Sequence, residues 1–464
     1  MIVDVLVVGA GPAGMAAAVR LRRAGLSTVV VDDAPAPGGQ VWRAVEANSK
    51  LAPALGADYV RGQQAIARFR ASGVEYWPRT ELWRLDDGWH AFVKRDGALE
   101  RIDARAVVLA TGALERPAPF PGWTLPGVVT VGGAQTLLKS GGQVPEAPVW
   151  IAGSGPLVLL YAAQILALGG QVAAWLDTAP SSNRVTAGAT ALANPLGLAN
   201  HVGELAKGAR WRLKLALARV PVIPIRSIAA EGEGQIEAVR FVTQHGTVER
   251  HPARLLLVHE GVVPNTHATV SLGCAHDWCP TQDSFVPRLD AYGMTDKAGL
   301  YVAGDGGGIL GARAAELSGT LAALGVLARE GRLTADVAAI EAQPIRRQLQ
   351  SERAFRAFLD ALYRPRPDIF NPPEGTLVCR CEEVTADLIR KAANVHGVGP
   401  NQVKAFTRAG MGPCQGRQCG TTLAAIVAAT QRRSMESVGY LNIRPPLKPV
   451  TVGELARAAD AEAK

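Results

Sequence analysis

IVDVLVVGAGPAG, residues 2–14, decides the fold of this chain. Its first seven residues predict a buried strand because they are almost all apolar, and three glycines follow with the spacing G-x-G-x-x-G. This spacing gives a tight turn at Gly9, close backbone approach to a pyrophosphate at Gly11, and close packing of helix on strand at Gly14. An Ala-rich helical stretch and the strand STVVVDD then complete a βαβ unit.

Asp32 is the first partner of this motif. It ends the second strand, eighteen residues after Gly14, where a dinucleotide-binding fold places the acid that bonds the adenosine ribose. Pro12 and Ala13 begin the helix whose N-terminus would face the phosphates. The sequence therefore predicts a bound dinucleotide, with a tight βα turn that holds no ligand as the structural alternative.

The same pattern returns 144 residues later in GSGPLV, which begins at Gly153. Gly153 and Gly155 supply the turn and the phosphate approach, and Pro156 begins the helix. Val158 stands where the third glycine would be, so helix and strand are expected to lie further apart. Asp177 ends the next strand and favours NAD over NADP because an acid can bond the ribose 2′-OH. A fold kept for packing, or one that binds another nucleotide, stays open.

The internal duplication predicts an α/β protein with two Rossmann-like dinucleotide-binding domains, the second inserted in the first. Four prolines within the thirteen residues of YRPRPDIFNPPEG predict an extended linker, so the cysteine-rich unit after it is expected to be independent of the FAD domain. The predicted units are an FAD-binding domain over 1–124 and 291–342, a second nucleotide-binding domain over 125–290, a linker over 343–375, a small helical cluster domain over 376–430, and a C-terminal tail over 431–464.

Four of the six cysteines fall in the last of these domains. One residue separates Cys379 from Cys381, and Cys414 and Cys419 follow after thirty-two intervening residues. Four thiolates suit a 2Fe–2S cluster or a structural zinc, but zinc sites usually have two-residue gaps, whereas the gaps here are one and four. The segments VCRCEEV and GMGPCQGRQCG resemble the bacterioferritin-associated-ferredoxin-like domain, and this resemblance implies a 2Fe–2S cluster.

Further segments resemble the two-dinucleotide-binding-domain flavoproteins, the group that includes thioredoxin and glutathione reductases. These are PAPGGQ after the second strand, a strand that ends in ATG, GVVPN, and a strand that ends in GD. The resemblance implies bound FAD, with Asp305 bonding the ribityl chain. The residues expected to contact FAD are Gly9, Gly11, Pro12, Ala13, Gly14, Asp32, Gly39, Gln40, Arg43, Ala110, Thr111, Gly112, Gly304 and Asp305.

Nearly the whole chain resembles the alpha subunit of heteromeric amino-acid and opine dehydrogenases, a group with D-hydroxyproline dehydrogenase, opine oxidases and hydrogen cyanide synthase among its members. DDAPAPGGQVWR, LATGALERPAPFPGWTLPGV, GGAQTLLKSGG and AGDGGGILGARAAELSG carry this resemblance together with the cysteine domain. It implies an electron-transfer role, a partner related to D-amino-acid oxidase that oxidises hydroxyproline, proline or an opine, a small ferredoxin-like subunit, and FMN between subunits.

Other function classes find little support in the sequence. The net charge of +8 is diffuse and aromatic residues are scarce, so no nucleic-acid surface is expected. The uncharged run 156–176 is split by two glycines and predicts a buried helix and strand, not a membrane span, and we expect a cytoplasmic protein.

No catalytic residue can be assigned from the sequence. Arg43, Arg116 and Arg313 lie near flavin motifs, but nothing marks any of them as a carboxylate clamp. Cys274 and Cys279 are predicted to be ordinary thiols. A redox disulfide would be expected just after the first ribose-binding strand, and this pair lies much later in the chain. A self-contained NADH-dependent flavin reductase is the alternative function.

Overall fold

The computed structural model describes residues 1–396 and 399–462, which form an α/β protein with two seven-stranded sheets. The strands of this part of the chain are β1 Ile2–Val8, β2 Thr28–Val31, β3 Glu75–Trp77, β4 Thr80–Asp86, β5 His90–Arg95, β6 Ala98–Leu109, β7 Ala113–Glu115, β8 Val128–Thr130, β9 Val149–Gly153, β10 Val172–Asp177, β11 Val222–Glu231, β12 Ala238–Thr243, β13 Val248–Pro252, β14 Leu256–His259, β15 Val262–Pro264, β16 His276–Cys279, β17 Ser284–Pro287, β18 Leu300–Val302, β19 Leu377–Cys379 and β20 Val384–Thr385.

Helices cover the sheets and build most of the C-terminal part. Those of the described residues are α1 Pro12–Arg23, α2 Ala52–Leu55, α3 Ala57–Ala71, α4 Val131–Gly141, α5 Pro156–Ala167, α6 Ser182–Ala193, α7 Pro195–Ala199, α8 Val202–Leu217, α9 His267–Ser271, α10 Ala312–Arg329, α11 Ala335–Leu362, α12 Ala386–His396, α13 Pro400–Thr407, α14 Gly420–Gln431, α15 Met435–Val438 and α16 Val452–Glu462. No helix among the described residues is both long and apolar enough to cross a membrane.

The first sheet has the order β3-β2-β1-β6-β5-β4, with β18 paired to β6. β1 is apolar on both faces because both are covered: Val5 and Val7 lie in the core under α1 and α10, and Leu6 lies in the core on the other side. The helices α1 and α10 approach closely, since a Cβ on Gly319 would lie 2.0 Å from the carbonyl oxygen of Ala13.

The second sheet repeats this plan with the order β13-β12-β11-β10-β9-β14-β8. Its strands all lie within residues 128–259, and the antiparallel pair of β7 and β15 carries the chain out of the first sheet and back. The return strand β18 then pairs with β6 in parallel. The predicted insertion of one Rossmann-like domain in the other, and the predicted helix and strand over 156–176, are therefore confirmed.

The linker predicted over 343–375 is wrong for residues 343–362, which continue α11. The side chain of Thr334 caps this helix by accepting the Val337 N–H, and Pro344 is accommodated inside it. Many residues of α11 are charged, so the sequence shows no clear apolar periodicity there. Ala342 and Leu349 are nevertheless buried against α10. Residues 363–375 are not a free spacer either, because Ile369 is buried in the core of the second domain.

The cysteine unit and the C-terminal tail also pack on the first domain. β19, β20 and α12–α15 surround a separate small core. The following segment crosses to the first domain, where Ile443 and Leu447 enter its core and the Leu447 N–H donates to the carbonyl of Trp83 (2.7 Å). The expected independence of the cysteine unit is therefore not what the structure shows.

Candidate functional site

The first glycine turn has the geometry that its sequence predicts. Gly9 has a φ of +105°, and a Cβ there would lie 2.4 Å from the carbonyl oxygen of Ala110. A Cβ on Gly14 would lie 1.8 Å from the Gly9 carbonyl oxygen. No larger side chain fits at either position, so α1 begins close to β1 and directs its N-terminus into the space beyond the strand.

That space is a cavity of about 700 Å³, and both Asp32 and Asp305 line it. The predicted FAD-contacting residues all line this cavity with one exception. The exception is Gly14, whose role is the close packing of α1 on the turn. The structure thus brings together segments that lie up to three hundred residues apart in the chain.

Asp32 holds the glycine turn as well as facing the cavity. Its carboxylate accepts the N–H groups of Ala10 and Ala34, the second at 2.7 Å. Burial raises the pKa of Asp32, although these two N–H groups lower it. The next residue, Asp33, also lines the cavity and pairs with Lys448 (3.0 Å) of the C-terminal segment. Neither Asp33 nor Lys448 was a sequence-predicted site residue.

Asp305 caps a turn and also lines the cavity. Its Oδ1 accepts the N–H groups of Leu310 and Gly311, both at 2.9 Å, and so caps the turn before α10. The side chain nevertheless lines the cavity. The cap fixes the direction of the carboxylate, and this suits a residue that must receive a hydrogen bond from a ligand hydroxyl.

Lys139 is a buried cation on the cavity wall to which the sequence patterns assign no role. Its ammonium donates to the carbonyls of Gln40 (2.9 Å) and Val41 (3.1 Å). Burial, with a contribution from Arg43, lowers the pKa of Lys139 to about 8. The signal was present in GGAQTLLKSGG, a segment that carried the family resemblance, but helical periodicity alone would not single out this lysine.

A second polar pair joins this cavity to the other glycine turn. Glu115 lines the large cavity and bonds His259 (2.6 Å), while one of its oxygens accepts the Gly132 N–H (2.9 Å). The imidazole of His259 lies against Gly155. Arg116 is no carboxylate clamp, because its buried guanidinium donates to the carbonyls of Glu260 and Asp283.

The second glycine turn has similar backbone geometry but different surroundings. Gly153 and Gly155 have φ values of +146° and +124°. The cavity beside Gly155 and Pro156 measures only about 180 Å³, and Leu359, Asp360, Tyr363 and Pro365 form part of its wall. Ligand pockets usually measure about 300–1,000 Å³. Asp177 does not line this cavity, and its carboxylate accepts the Ala179 N–H (3.1 Å).

A residue of this small cavity, Glu260, belongs to a buried ion pair. Glu260, 1% exposed, pairs with Arg366, 5% exposed, with Nε and Oε1 3.1 Å apart. Burial raises the pKa of Glu260, and Arg366 opposes this shift. Arg366 comes from the proline-rich segment that was predicted to be a linker, so this segment covers the carboxyl edge of the second sheet.

The four C-terminal cysteines form two pairs. The Cys419 thiol acts on the pKa of Cys379, and the Cys414 thiol acts on that of Cys381, so the members of each pair lie next to each other. The Cys419 thiol, together with the N–H of Gly410 (3.4 Å from Sγ), lowers the pKa of Cys379 to about 6 in spite of burial. Among the described residues, no three His, Cys, Asp or Glu side chains converge on one single-ion position.

The remaining residues of interest are two cysteines, an arginine and a histidine. Cys274 and Cys279 are free thiols: Cys274 is packed in the first-domain core, and the sulfur of Cys279 lies 3.3 Å from the Thr281 hydroxyl. Arg313 pairs with Glu352 (3.4 Å). His267 lines the large cavity, and burial, together with the nearby Arg417, lowers its pKa to about 4.

Comparison with known proteins gives two family matches. Residues 3–319 match the model of the pyridine nucleotide-disulphide oxidoreductases, and residues 374–460 match that of the sarcosine oxidase A3 domain. The second match includes the four cysteines and most of the predicted tail.

Individual relatives extend over the whole chain. An opine oxidase subunit of Rhizobium meliloti (strain 1021) is 43% identical, over 98% of this chain and 98% of that protein. Hydrogen cyanide synthase subunit HcnB of Pseudomonas protegens is 30% identical, over 97% of each. The structure of L-proline dehydrogenase from P. horikoshii shares the fold, with a TM-score of 0.69 and 21% identity over 98% of this chain and 80% of that one.

Proposed function

This chain belongs to the pyridine nucleotide-disulphide oxidoreductase family and is the alpha subunit of a heteromeric FAD-dependent dehydrogenase, and from that premise we propose that it is the electron-transfer subunit. In this proposal it passes electrons between FAD in the large cavity and a 2Fe–2S cluster on the four cysteines. The complex oxidises an amino or imino acid such as hydroxyproline, proline or an opine. One observation carries the proposal: Arg417, between Cys414 and Cys419, lines the same cavity as the FAD motifs.

The large cavity suits FAD in size and in chemistry. Its volume of about 700 Å³ lies within the usual range for cofactor sites. The turn at Gly9 and the N-terminus of α1 would hold the pyrophosphate, Asp32 or Asp33 the adenosine ribose, and Asp305 the ribityl chain. Because Gly9, Gly11 and Gly39 carry no side chains here, the backbone can approach the cofactor closely.

The cysteine arrangement suits a two-iron centre. A 2Fe–2S cluster takes two thiolates on each iron, and the Cys419 thiol lies close enough to interact with the thiols of Cys379, Cys414 and Cys381. A Cβ on Gly412 would lie 2.3 Å from Cys381 Cβ, and the Gly410 N–H points at a sulfur, so the glycines bring backbone close to the site. Structural zinc remains the alternative that metal analysis must exclude.

The two cofactors would divide the chemistry. When bound, FAD accepts two electrons together and can release them singly, while a 2Fe–2S cluster carries one. The protein residues bind and orient: Asp305 is fixed by its cap on α10, and Lys139 places a buried positive charge beside the PGGQ segment.

We further propose the composition of the complex. A partner protein related to D-amino-acid oxidase would oxidise the substrate, a small ferredoxin-like subunit would complete the assembly, and FMN would lie between subunits. The names of the relatives support a heteromeric enzyme, since the opine oxidase relative and hydrogen cyanide synthase subunit HcnB are both subunits. NAD at the second glycine turn stays a prediction, and the volume of about 180 Å³ argues against it.

A reconstitution experiment tests the proposal. The chain alone, and the chain with its co-purifying partners, are mixed with hydroxyproline, proline or an opine and an artificial electron acceptor. We expect dye reduction only by the complex, and about two iron atoms per chain in anaerobically purified protein. Substrate-dependent turnover by the lone chain at the rate of the complex would overturn the proposal. Dye reduction by NADH and the lone chain would favour the self-contained reductase.

A further inference from the structure

The loop between Cys414 and Cys419 forms part of the wall of the FAD cavity. Arg417 of this loop lines that cavity, as do Leu447 and Lys448 of the following segment. The cysteine unit is therefore not a separate appendage. It contributes a cation to a cavity whose expected occupant carries a pyrophosphate.

Two hydrogen bonds hold this loop in position. His267, at the start of α9, bonds the carbonyl of Gln415 through Nε2 (3.1 Å). Within the loop, Arg417 Nε donates to the carbonyl of Cys414 (3.1 Å). A guanidinium has five N–H donors, so this bond leaves further donors for a ligand. His267 itself lines the cavity, so the same side chain contacts both the cavity and the loop between Cys414 and Cys419.

We propose that Arg417 is an FAD-binding residue supplied by the cysteine unit, and that FAD binding and occupancy of the cysteine pairs are coupled through this loop. The proposal rests on the proposed function, because it takes FAD as the occupant of the cavity and an iron centre as the occupant of the cysteines. His267 is a positioning residue that fixes the loop through Gln415.

The coupling follows from the ends of the loop. Cys414 and Cys419 are the two ends of the loop, so a centre bound by all four cysteine sulfurs would hold the loop at both ends. A loop held at both ends presents Arg417 in one arrangement and loses less conformational entropy when FAD binds. By linkage, FAD must then tighten retention of the centre by the same factor.

Two of the other cations on the cavity wall have partners at their ammonium groups, while the third, Arg43, is bonded through Nε as Arg417 is. The Lys139 ammonium donates to two backbone carbonyls, and Lys448 pairs with Asp33. Arg43 donates from Nε to the side chain of Gln40 (3.1 Å). Arg417 differs from all three because its bond within the loop ties it to a cysteine that is expected to hold iron.

FAD titrations of the flavin-stripped full-length chain, followed by flavin fluorescence, test the proposal. For Arg417→Gln we expect wild-type iron content and an increase in the FAD Kd of about tenfold to hundredfold, the loss typical of a charged hydrogen bond. Arg433→Gln is the matched control: Arg433 is an exposed arginine of the same unit that bonds Ser437 and does not line the cavity. Its FAD Kd should not change.

Iron removal from the wild type and from Arg417→Gln completes a thermodynamic cycle. We expect a weaker FAD Kd in the iron-depleted wild type and little further loss in the iron-depleted variant. Equal losses in both proteins, or wild-type affinity in Arg417→Gln, would overturn the proposal. Should Arg417→Gln not fold, Arg417→Lys replaces it, with a smaller expected loss because the charge remains. A wild type without iron would refute the cluster, while the Arg417 titration would still decide whether this residue binds FAD.

Discussion

The two glycine turns of this protein have the same local structure but open into cavities of different size. Both follow a parallel strand, both start a helix with proline, and both are followed by an acid at the end of the next strand. The first opens into a cavity of about 700 Å³ and the second into one of about 180 Å³. The difference lies in what packs over each turn, since the end of α11, Tyr363 and Pro365 form part of the cavity wall at the second.

A glycine motif of this kind therefore specifies a turn but does not by itself specify a bound ligand. The turn needs only a positive φ and a close backbone neighbour, and both sites have them. A ligand also needs open space beyond the turn. In the second domain a distant segment takes part of that space and places the buried pair of Glu260 and Arg366 at the same edge of the sheet.

The largest expected effect comes from the third position of the two motifs. Gly14→Val should yield no folded flavoprotein, because even a Cβ would lie 1.8 Å from the Gly9 carbonyl oxygen. Val158, the equivalent residue of the second motif, is buried, and Val158→Ala should only lower the free energy of unfolding by about 1–3 kcal/mol. Flavin absorbance and chemical unfolding check both results. Full flavin content in Gly14→Val would show that the first turn tolerates a side chain.

A smaller effect is expected at the ion pairs of the two regions. Arg366→Ala should lower the free energy of unfolding by about 3–5 kcal/mol because Glu260 is left buried and unpaired. Lys448→Ala, which breaks the more exposed pair with Asp33, should cost about 0–1 kcal/mol. Urea unfolding at one pH measures both, and the double variant Glu260→Gln, Arg366→Met should recover part of the loss. Equal losses in the two single variants would contradict the difference in burial.

The smallest expected effect is a pH dependence at Lys139. Its pKa is lowered in the folded protein to about 8, from an ordinary 10.5, so the unfolded chain binds more protons between these two values. The free energy of unfolding should therefore rise as the pH increases through this range, by at most about 3 kcal/mol. Lys139→Met should remove this rise. Lys214→Met is the control, since the Lys214 ammonium also donates to a backbone carbonyl, that of Ala163, but does not line the cavity.

The sequence predicted much of the first site because its signals are local. A strand, a glycine turn and an acid lie within the first 32 residues, and ATG and GD each end a strand of the same sheet. Since the carboxyl ends of parallel strands meet at one edge, these motifs had to converge there. The cysteine spacing likewise predicted that the four C-terminal thiols lie close together.

The sequence by itself determined the two Rossmann-like domains, their insertion and the identity of the four cysteines, because each follows from periodicity or spacing within a short stretch. The tertiary structure alone shows which glycine turn opens into a large cavity, where residues 343–375 lie, and that Arg417 lines the large cavity. These features arise from contacts between segments far apart in the chain. Such contacts depend on side-chain packing and charge pairing between distant segments, and no local sequence pattern specifies them.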